Sequence, residues 1–462
     1  MFGHTVSERL VPRGRRAALV AALAVLPLVG CEETLEVENQ DVLTPDAVSV
    51  ELLVAGATRD FNVAYSGGGL DDKFITMSAL ITDEVFSSGT FTTRTATDQR
   101  NQFAMAQGNT SDAAYNDLHT ARRAALRAFD ALGAAGQGSS ADATRMKLYE
   151  GYSYVALGEG YCSGIPFSEV TPEDERIPGQ PISTQEIFQQ AVTIFDAALA
   201  IDGGNNAASV GKGRALLNLG DYPGAAAAVA GVPTDFLFAI DHSANSGDQE
   251  NPLFNLQSNG RYSLSDVEGG NGLPFRSAGD PRVPWVENPA GGFDSSIRLF
   301  LSQKYSEDRA SPVVLADGVE ARLIEAEAAL NAGDAAGFIT ILNALRADVA
   351  TLMAARILNY SALVPGPNNP STTLPPLADP GSAVGREDLL FSERGFWMWG
   401  TGHRLGDFRR LIRQYGRGAE TVYPTGAYHK SGTYGADIVL PLDFDETNNP
   451  NYSEDLCVYT SP

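Results

Sequence analysis

Two stretches of this chain spell the same object twice. "GRALLNLGDYPGAAAAVAGV" begins at Gly213, and "ARLIEAEAALNAGDAAGFITILNALRADV" begins at Ala321. Each is an apolar run at helical spacing, a short turn containing Gly-Asp, and a second Ala-rich helical run. Small side chains on such helices allow close approach, and a helix pair buries its apolar face by stacking on further pairs. Other segments have the same character. "SDAAYNDLHTARRAALRAFDAL" sets Ala114, Leu118, Ala121, Ala125, Phe129 and Leu132 along one stripe. "STQEIFQQAVTIFDAALAI" opens with a capping box, Ser183 to Glu186. A helix is also expected over "PDAVSVELLVAGATRDF", capped by Thr44 or Asp46.

The Gly-Asp turns and their Ala-rich flanks resemble the tetratricopeptide pattern. The pairs recur at a distance, with long insertions between them. The expected fold is mostly α: a tetratricopeptide-like helical-repeat scaffold of about four helix pairs, with a loop-rich insertion region and short strands. Residues 231–315 are that insertion, rich in Gly, Pro, Asn and aromatic residues. "SSGTFTTRTATDQRNQF", from Ser87, has neither helical nor strand period, and long irregular loops on rigid scaffolds are where binding residues sit.

The first thirty residues are a different object. Arg9, Arg13, Arg15 and Arg16 precede an apolar run, Ala17 to Leu26, too short to span a bilayer as a helix. It reads as an export signal over residues 1–30. The segment ends in Leu28-Val29-Gly30-Cys31, which resembles a bacterial lipobox, so cleavage is expected before Cys31 and acylation on its thiol. Attachment to a membrane is then through the lipid anchor alone.

Removing that signal leaves 29 basic and 56 acidic side chains, a formal charge of −27. This excess disfavours polyanions and argues against nucleic acid as a partner. It leaves neutral or cationic ligands open. Cys162 and Cys457 remain as a possible disulfide. Four His remain, His119, His242, His403 and His429, none at metal-ligand spacing, so neither metal nor cofactor is expected.

Two local patterns suggest chemistry. Ser209-Val-Gly-Lys212, Ser243-Ala-Asn245 and Lys430-Ser-Gly432 follow the order of the serine acyl-transferase motifs of penicillin-binding proteins. Ser209 is read instead as a helix N-cap. "DFDETNNPNYSE", from Asp443, has oxygen side chains spaced as in a calcium loop, but Asn448 stands where such loops need Gly.

The densest cluster is "ERGFWMWGTGHRLGDFRR", Glu393 to Arg410. Read as one helix, it steps through Glu393, Phe396, Gly400, His403 or Arg404, Asp407 and Leu411 at three- and four-residue intervals. Asp407 falls beside Arg404 and Arg410, and Trp397, Trp399 and Phe408 supply core. Nothing there activates a nucleophile, so a scaffold role is expected for Glu393, Arg394, His403, Arg404, Asp407 and Arg410.

At these residues the chain resembles the SusD/RagB-like outer-membrane lipoproteins, whose pattern is ER…EG-x-R…D-L-x-R. Glu393, Arg394, Gly402, His403, Arg404, Asp407, Arg409 and Arg410 match, whereas Trp397 and Thr401 stand where Glu is usual. "AGDPRV", "QKY", "LNALRA" and "IVLPLDFDETNNPN" agree in order, so the resemblance covers nearly the whole mature chain.

The resemblance implies a binding lipoprotein on the cell-surface face of the outer membrane. Such a protein is no enzyme: it captures a glycan or other nutrient for a SusC-like TonB-dependent barrel transporter. The implied regions are 31–230, N-terminal and helical, and 231–462, C-terminal with loop-rich insertions, together one compact unit. Sugar binding of this kind uses aromatic faces with polar partners. The loops offer Tyr65, Asp83, Phe86, Phe91, Arg94, Tyr262, Phe275 and Trp285. A lipid-anchored serine hydrolase and a ligand-free structural repeat are the competing readings.

Overall fold

Capping chemistry sets where the helices begin. Helix α1 (Val50–Ser66) starts at Ser49, whose hydroxyl accepts from Leu52 N at 3.2 Å. The computed structural model describes residues 48–102, 113–171, 175–305, 308–357, 372–443, 446, 448–453 and 455–462. The expected export signal, Cys31 and the Thr44 and Asp46 caps lie outside the described residues.

Next come α2 (Phe74–Ile81), β1 (Val85–Ser87) and α3 (Thr92–Asp98). Helix α3 occupies a stretch that the sequence presents as irregular. Its buried side consists of Arg94, Ala96, Thr97 and Asp98, so no apolar stripe marks it.

The long helices α4 (Ala113–Ala134) and α5 (Ala141–Gly160) follow, then the two-residue strands β2 (Ile165–Pro166), β3 (Glu169–Val170), β4 (Arg176–Ile177) and β5 (Pro181–Ile182), and helices α6 (Thr184–Ile201), α7 (Asn206–Leu219) and α8 (Tyr222–Val229). The expected stripe on α4 is buried at Ala114, Leu118, Ala121, Ala125 and Leu132. The capping box at Ser183 and Glu186 is formed. Helix α7 is capped by Asn205, which puts Ser209 inside its first turn rather than at the cap.

The middle of the chain carries β6 (Leu237–Ile240), α9 (Pro252–Ser258), β7 (Tyr262–Leu264), β8 (Trp285–Asn288), β9 (Leu299–Ser302) and β10 (Val313–Asp317). Helices α10 (Gly318–Asn331), α11 (Ala335–Ala347), α12 (Val349–Arg356), α13 (Ala383–Trp397) and α14 (Arg404–Arg413) complete the scaffold.

The helices pack in an unbroken succession: α1 on α4, α4 on α5, α5 on α6, α6 on α7, α7 on α8, α8 on α10 and α10 on α11. Four pairs therefore stack contiguously in space although insertions separate them in sequence. The two copies of the turn are chemically alike. Asp221 accepts from Gly224 N at 2.9 Å and Asp334 accepts from Gly337 N at 2.8 Å, each starting the second helix of its pair. Absent side chains also let helices close on one another. A Cβ at Gly151 of α5 or Gly211 of α7 would lie 2.8 Å or 2.3 Å from the Phe195 ring of α6.

Strand pairing ties the insertions to this stack. Strand β6 pairs antiparallel with β10, bringing the ends of the central insertion together beside α8 and α10. Strand β1 pairs with β7, with Phe86 opposite Ser263, so the insertion after α1 is zipped to the central one. Two apolar clusters result. The larger is helical and includes Phe195, Leu342, Trp397 and Met398. The smaller lies under the insertions and includes Leu80, Phe86, Tyr262, Phe275, Phe396 and Trp399. The end of α13 thus feeds both.

Ser49–Pro462 is one compact unit. A disulfide joins Cys162, just after α5, to Cys457 in the C-terminal tail, across a sequence separation of 295. Among the described residues no single helix is long and apolar enough to cross a membrane. The bent pair α11–α12, which is apolar enough, buries Phe338, Leu342, Leu345, Leu352 and Met353 in the helical core.

Closing so long a loop restricts the unfolded chain, so a Cys162→Ala/Cys457→Ala variant is expected to lose roughly 2–5 kcal/mol of stability. Denaturant unfolding followed by circular dichroism, compared with the oxidised wild type, measures this.

Candidate functional site

The cluster at Glu393–Arg410 is a lock. Glu393, at 3 % exposure, receives Arg282 Nη1 at 2.7 Å and Arg346 Nη1 at 2.6 Å. Arg282 comes from the insertion and also binds Asp280, while Arg346 comes from α11. Three sequence fragments, "AGDPRV", "LNALRA" and "ER", therefore meet at one carboxylate. Arg394 Nε and Arg410 Nη2 each donate to Asp407 at 2.8 Å, and Arg410 continues to Glu327 of α10. The two guanidinium groups overcome the desolvation of Asp407 and hold its carboxyl far below the usual carboxylate range. Arg404 does not join this pairing as expected. It turns toward Phe391 O and lies over the Phe408 ring, 4.5 Å from its centroid.

The segment is not one helix. Helix α13 ends at Trp397 and α14 begins at Arg404, with a turn between them. Gly400 (φ 66°) and Gly402 (φ 79°) adopt left-handed backbone there, which breaks the helix even though the apolar spacing runs on. Contacts from distant parts of the chain hold the turn. Lys304 Nζ donates to Trp399 O at 2.7 Å, Tyr305 OH to Gly400 O at 2.9 Å and Tyr65 OH to Thr401 O at 3.0 Å. Gly400 N donates to Glu84 Oε1 at 2.9 Å.

His403 Nε2 lies 2.9 Å from Arg214 Nη1 and 3.1 Å from Glu320 Oε1, and its Nδ1 lies 2.8 Å from the Thr401 hydroxyl oxygen. That hydroxyl in turn donates to Met398 O. Thr401 thus closes a local bond network where the related pattern has Glu. Both ring nitrogens are committed and the residue is buried, so His403 serves the scaffold.

Most of the aromatic and polar loop residues named above as ligand contacts are built into this scaffold. Tyr65 clamps the turn. Tyr262, fully buried, donates to Asp72 at 2.7 Å, and Arg94 Nε donates to the same oxygen at 2.8 Å. Phe275 packs edge-on against Phe396, and Phe86 against His429. Asp83 is closed off at 1 % exposure, and burial drives its carboxyl well above the usual range. These six are buried rather than open to a ligand: Tyr65 lies on α1 in the helical cluster, Arg94 on α3, Phe86 and Tyr262 on the paired strands β1 and β7, and only Asp83 and Phe275 in turns. Trp285 is half-buried, donating to Arg276 O at 3.0 Å and meeting Phe300 edge-on.

Phe91 remains open, at 51 % exposure. It belongs to a pad formed with two residues that the sequence pattern did not mark, Arg261 and Phe293. Phe293 is 55 % exposed. The Arg261 guanidinium carbon lies 4.8 Å from the Phe91 centroid and 3.3 Å from that of Phe293. Three loops fix the pad by main-chain bonds: Ser88 N to Arg261 O at 2.8 Å, Phe293 N to Gly260 O at 2.7 Å and Asp294 N to Ser88 O at 2.8 Å. The Asn-Gly-Arg and Gly-Gly-Phe sequences are the only local sign that these residues sit at tight turns.

The acyl-transferase fragments do not assemble into one contact. Lys212 pairs with Asp196 at 2.6 Å, Ser243 accepts from Asn245 N, and Lys430 donates to Ser87, Gly89 and Thr95. Among the described residues no three His, Cys, Asp or Glu side chains converge to hold a metal. Positions 444, 445, 447 and 454 of the calcium-like loop lie outside the described residues. A cavity of about 610 Å³ lies along α1 beside His242 and Asp248, and no aromatic ring other than that of His242 lines it. His242 there contacts Ser66 and Gln249, and burial lowers its pKa to about 4.

A stack of helix pairs with a strand-zipped insertion presenting an aromatic pad defines the class: a helical-repeat scaffold of SusD-like fold. The sequence matches no family model and no curated protein. A SusD/RagB family protein from Bacteroides thetaiotaomicron superposes with a TM-score of 0.56 at 15% identity, covering 79% of this chain and 88% of that one. A SusD superfamily protein from Bacteroides fragilis gives 0.57 at 15% identity, covering 88% and 98%. A SusD-like carbohydrate binding protein from Bacteroides vulgatus gives 0.54 at 15% identity, also covering 88% and 98%.

Breaking the buried charge network is expected to be costly. Asp407→Asn leaves two buried guanidinium groups short of a partner and should destabilise by about 3–5 kcal/mol in denaturant unfolding. Burial pushes Glu84 and Asp98 up to about 7. A raised carboxylate stabilises the fold fully below its unfolded value and loses that contribution as pH rises through the folded one. Stability should therefore fall from about pH 4.5 to 7, and Glu84→Gln, which keeps an acceptor for Gly400 N, should flatten that slope.

Proposed function

We propose that this chain is a surface-exposed lipoprotein that captures a glycan or other nutrient and delivers it to a SusC-like TonB-dependent outer-membrane transporter. The observation that carries the proposal is the likeness of fold to SusD/RagB proteins along 88% of the chain. The lipobox-like Leu28 to Cys31 supports an acyl anchor, and the exposed Phe91 and Phe293 rings support a saccharide-facing surface. Sugar C–H faces stack on aromatic rings, and the rigid three-loop mount limits the entropy lost on docking.

No bond cleavage belongs to this role. Capture needs a preformed surface and release to the partner, and the buried Glu393–Arg410 network supplies rigidity. The acidic remainder of the surface keeps the tethered protein solvated.

Labelled palmitate should enter the wild-type chain but not Cys31→Ser, and affinity capture of the lipidated protein from detergent-solubilised membranes should recover a TonB-dependent barrel. Phe91→Ala and Phe293→Ala should each weaken glycan binding by about tenfold, with unchanged thermal stability. Calorimetric titration and a melting curve on the same preparations check both halves.

A further inference from the structure

The pad carries a cation with no counter-charge. A guanidinium carbon 3.3 Å above a ring centroid fits only face to face, because an edge-on approach would drive its N–H groups into the ring. Phe293 therefore occupies one flat side of Arg261, and the Phe91 ring lies 4.8 Å from the same guanidinium carbon, with Arg94 also over Phe91 at 4.9 Å. Among the described residues its N–H edge donates no hydrogen bond and meets no carboxylate. Partial desolvation, then the neighbouring Arg94, holds its pKa below the usual arginine range, consistent with the lack of an acidic neighbour.

A second positive group lies next to the pad. Lys430 donates to Ser87 Oγ at the end of β1, to Gly89 O in the loop before Phe91 and to Thr95 Oγ1 on α3, all uncharged oxygens. Asp72 is already committed to Arg94. Asp294 is turned onto Ser296, accepting from its N at 3.1 Å and its hydroxyl at 2.7 Å. Lys430 interacts with Asp294 and the buried Asp98, so among the described residues of the pad Arg261 is the cation left without a carboxylate partner.

We infer that the captured saccharide bears an acidic substituent, a carboxylate or a sulfate ester, gripped by the free N–H edge of Arg261 beside Phe91 and Phe293. Guanidinium meets such groups with two parallel hydrogen bonds, and the flanking rings both orient it and receive the sugar face. The distant acidic surface does not forbid this, since charges beyond about 8 Å are screened at physiological salt. It does disfavour long polyanions, so short acidic oligosaccharides fit best. This inference rests on the capture role proposed above.

The test applies the purified full-length chain to an array of neutral, carboxylated and sulfated oligosaccharides, then titrates an oligogalacturonide against its carboxyl-reduced form. Binding confined to acidic members, at least tenfold tighter for the acid than the reduced form and lost in Arg261→Gln, is the expected result. The carboxylated and sulfated arms separate the two sources of charge. Equal binding of acid and reduced forms, or an acid preference that survives Arg261→Gln, overturns the acidic-substituent inference alone. No binding to any glycan on the array overturns the capture of glycans along with it.

Discussion

The fold depends on a buried carboxylate shared by two arginines from opposite sides of a seam. Glu393 takes Arg346 from the helical stack and Arg282 from the insertion, so the two apolar clusters cannot separate without stranding charge in the interior. Such pairs contribute little net energy against an apolar alternative, but removing one partner is expensive. Their value lies in register. Apolar packing alone would tolerate sliding of the insertion over the stack, whereas a bidentate guanidinium tolerates very little. The same economy recurs one turn on, where Arg394 and Arg410 close on Asp407 and Arg410 reaches Glu327.

The turn between Trp397 and Arg404 extends that lock toward the exposed pad. Glu84 accepts from Gly400 N, and the main chain after Glu84 runs directly into β1, which pairs with β7. The pad residues stand at the far end of that pairing, with Ser88 bonded to Arg261 and Asp294 bonded to Ser88. A chain of short contacts therefore links the buried charges to the exposed rings. Rigidity of this kind is what a capture surface needs if it is to bind without paying to order its own loops.

How much of this was legible depends on what the local sequence encodes. The helix pairs were legible, because burial of one face imposes a period that Ala-rich runs such as 113–134 display directly. The order of "AGDPRV", "LNALRA" and "ER" was legible as a resemblance, though nothing local says that Arg282, Arg346 and Glu393 share a bond. The break at Gly400 was hidden, since Phe396, His403 and Asp407 keep helical spacing across it. Its cause is tertiary, in Lys304, Tyr305 and Tyr65. Of the pad, Phe91 was named from the sequence, and Arg261 and Phe293 were hidden for a related reason. Loop aromatics carry no period, so Tyr262 and Phe275, which are buried, look the same in sequence as Phe293, which is not.

Hydrogen exchange of the full chain, alone and saturated with its tightest-binding oligosaccharide, tests the central claim most directly. Ligand protection concentrated in 87–91, 260–262 and 291–294, with 393–413 already slow and unchanged, is what a rigid lock behind an exposed pad predicts. Protection appearing instead within 393–413, with the three loops unaffected, would contradict it by making the buried charge cluster the binding site.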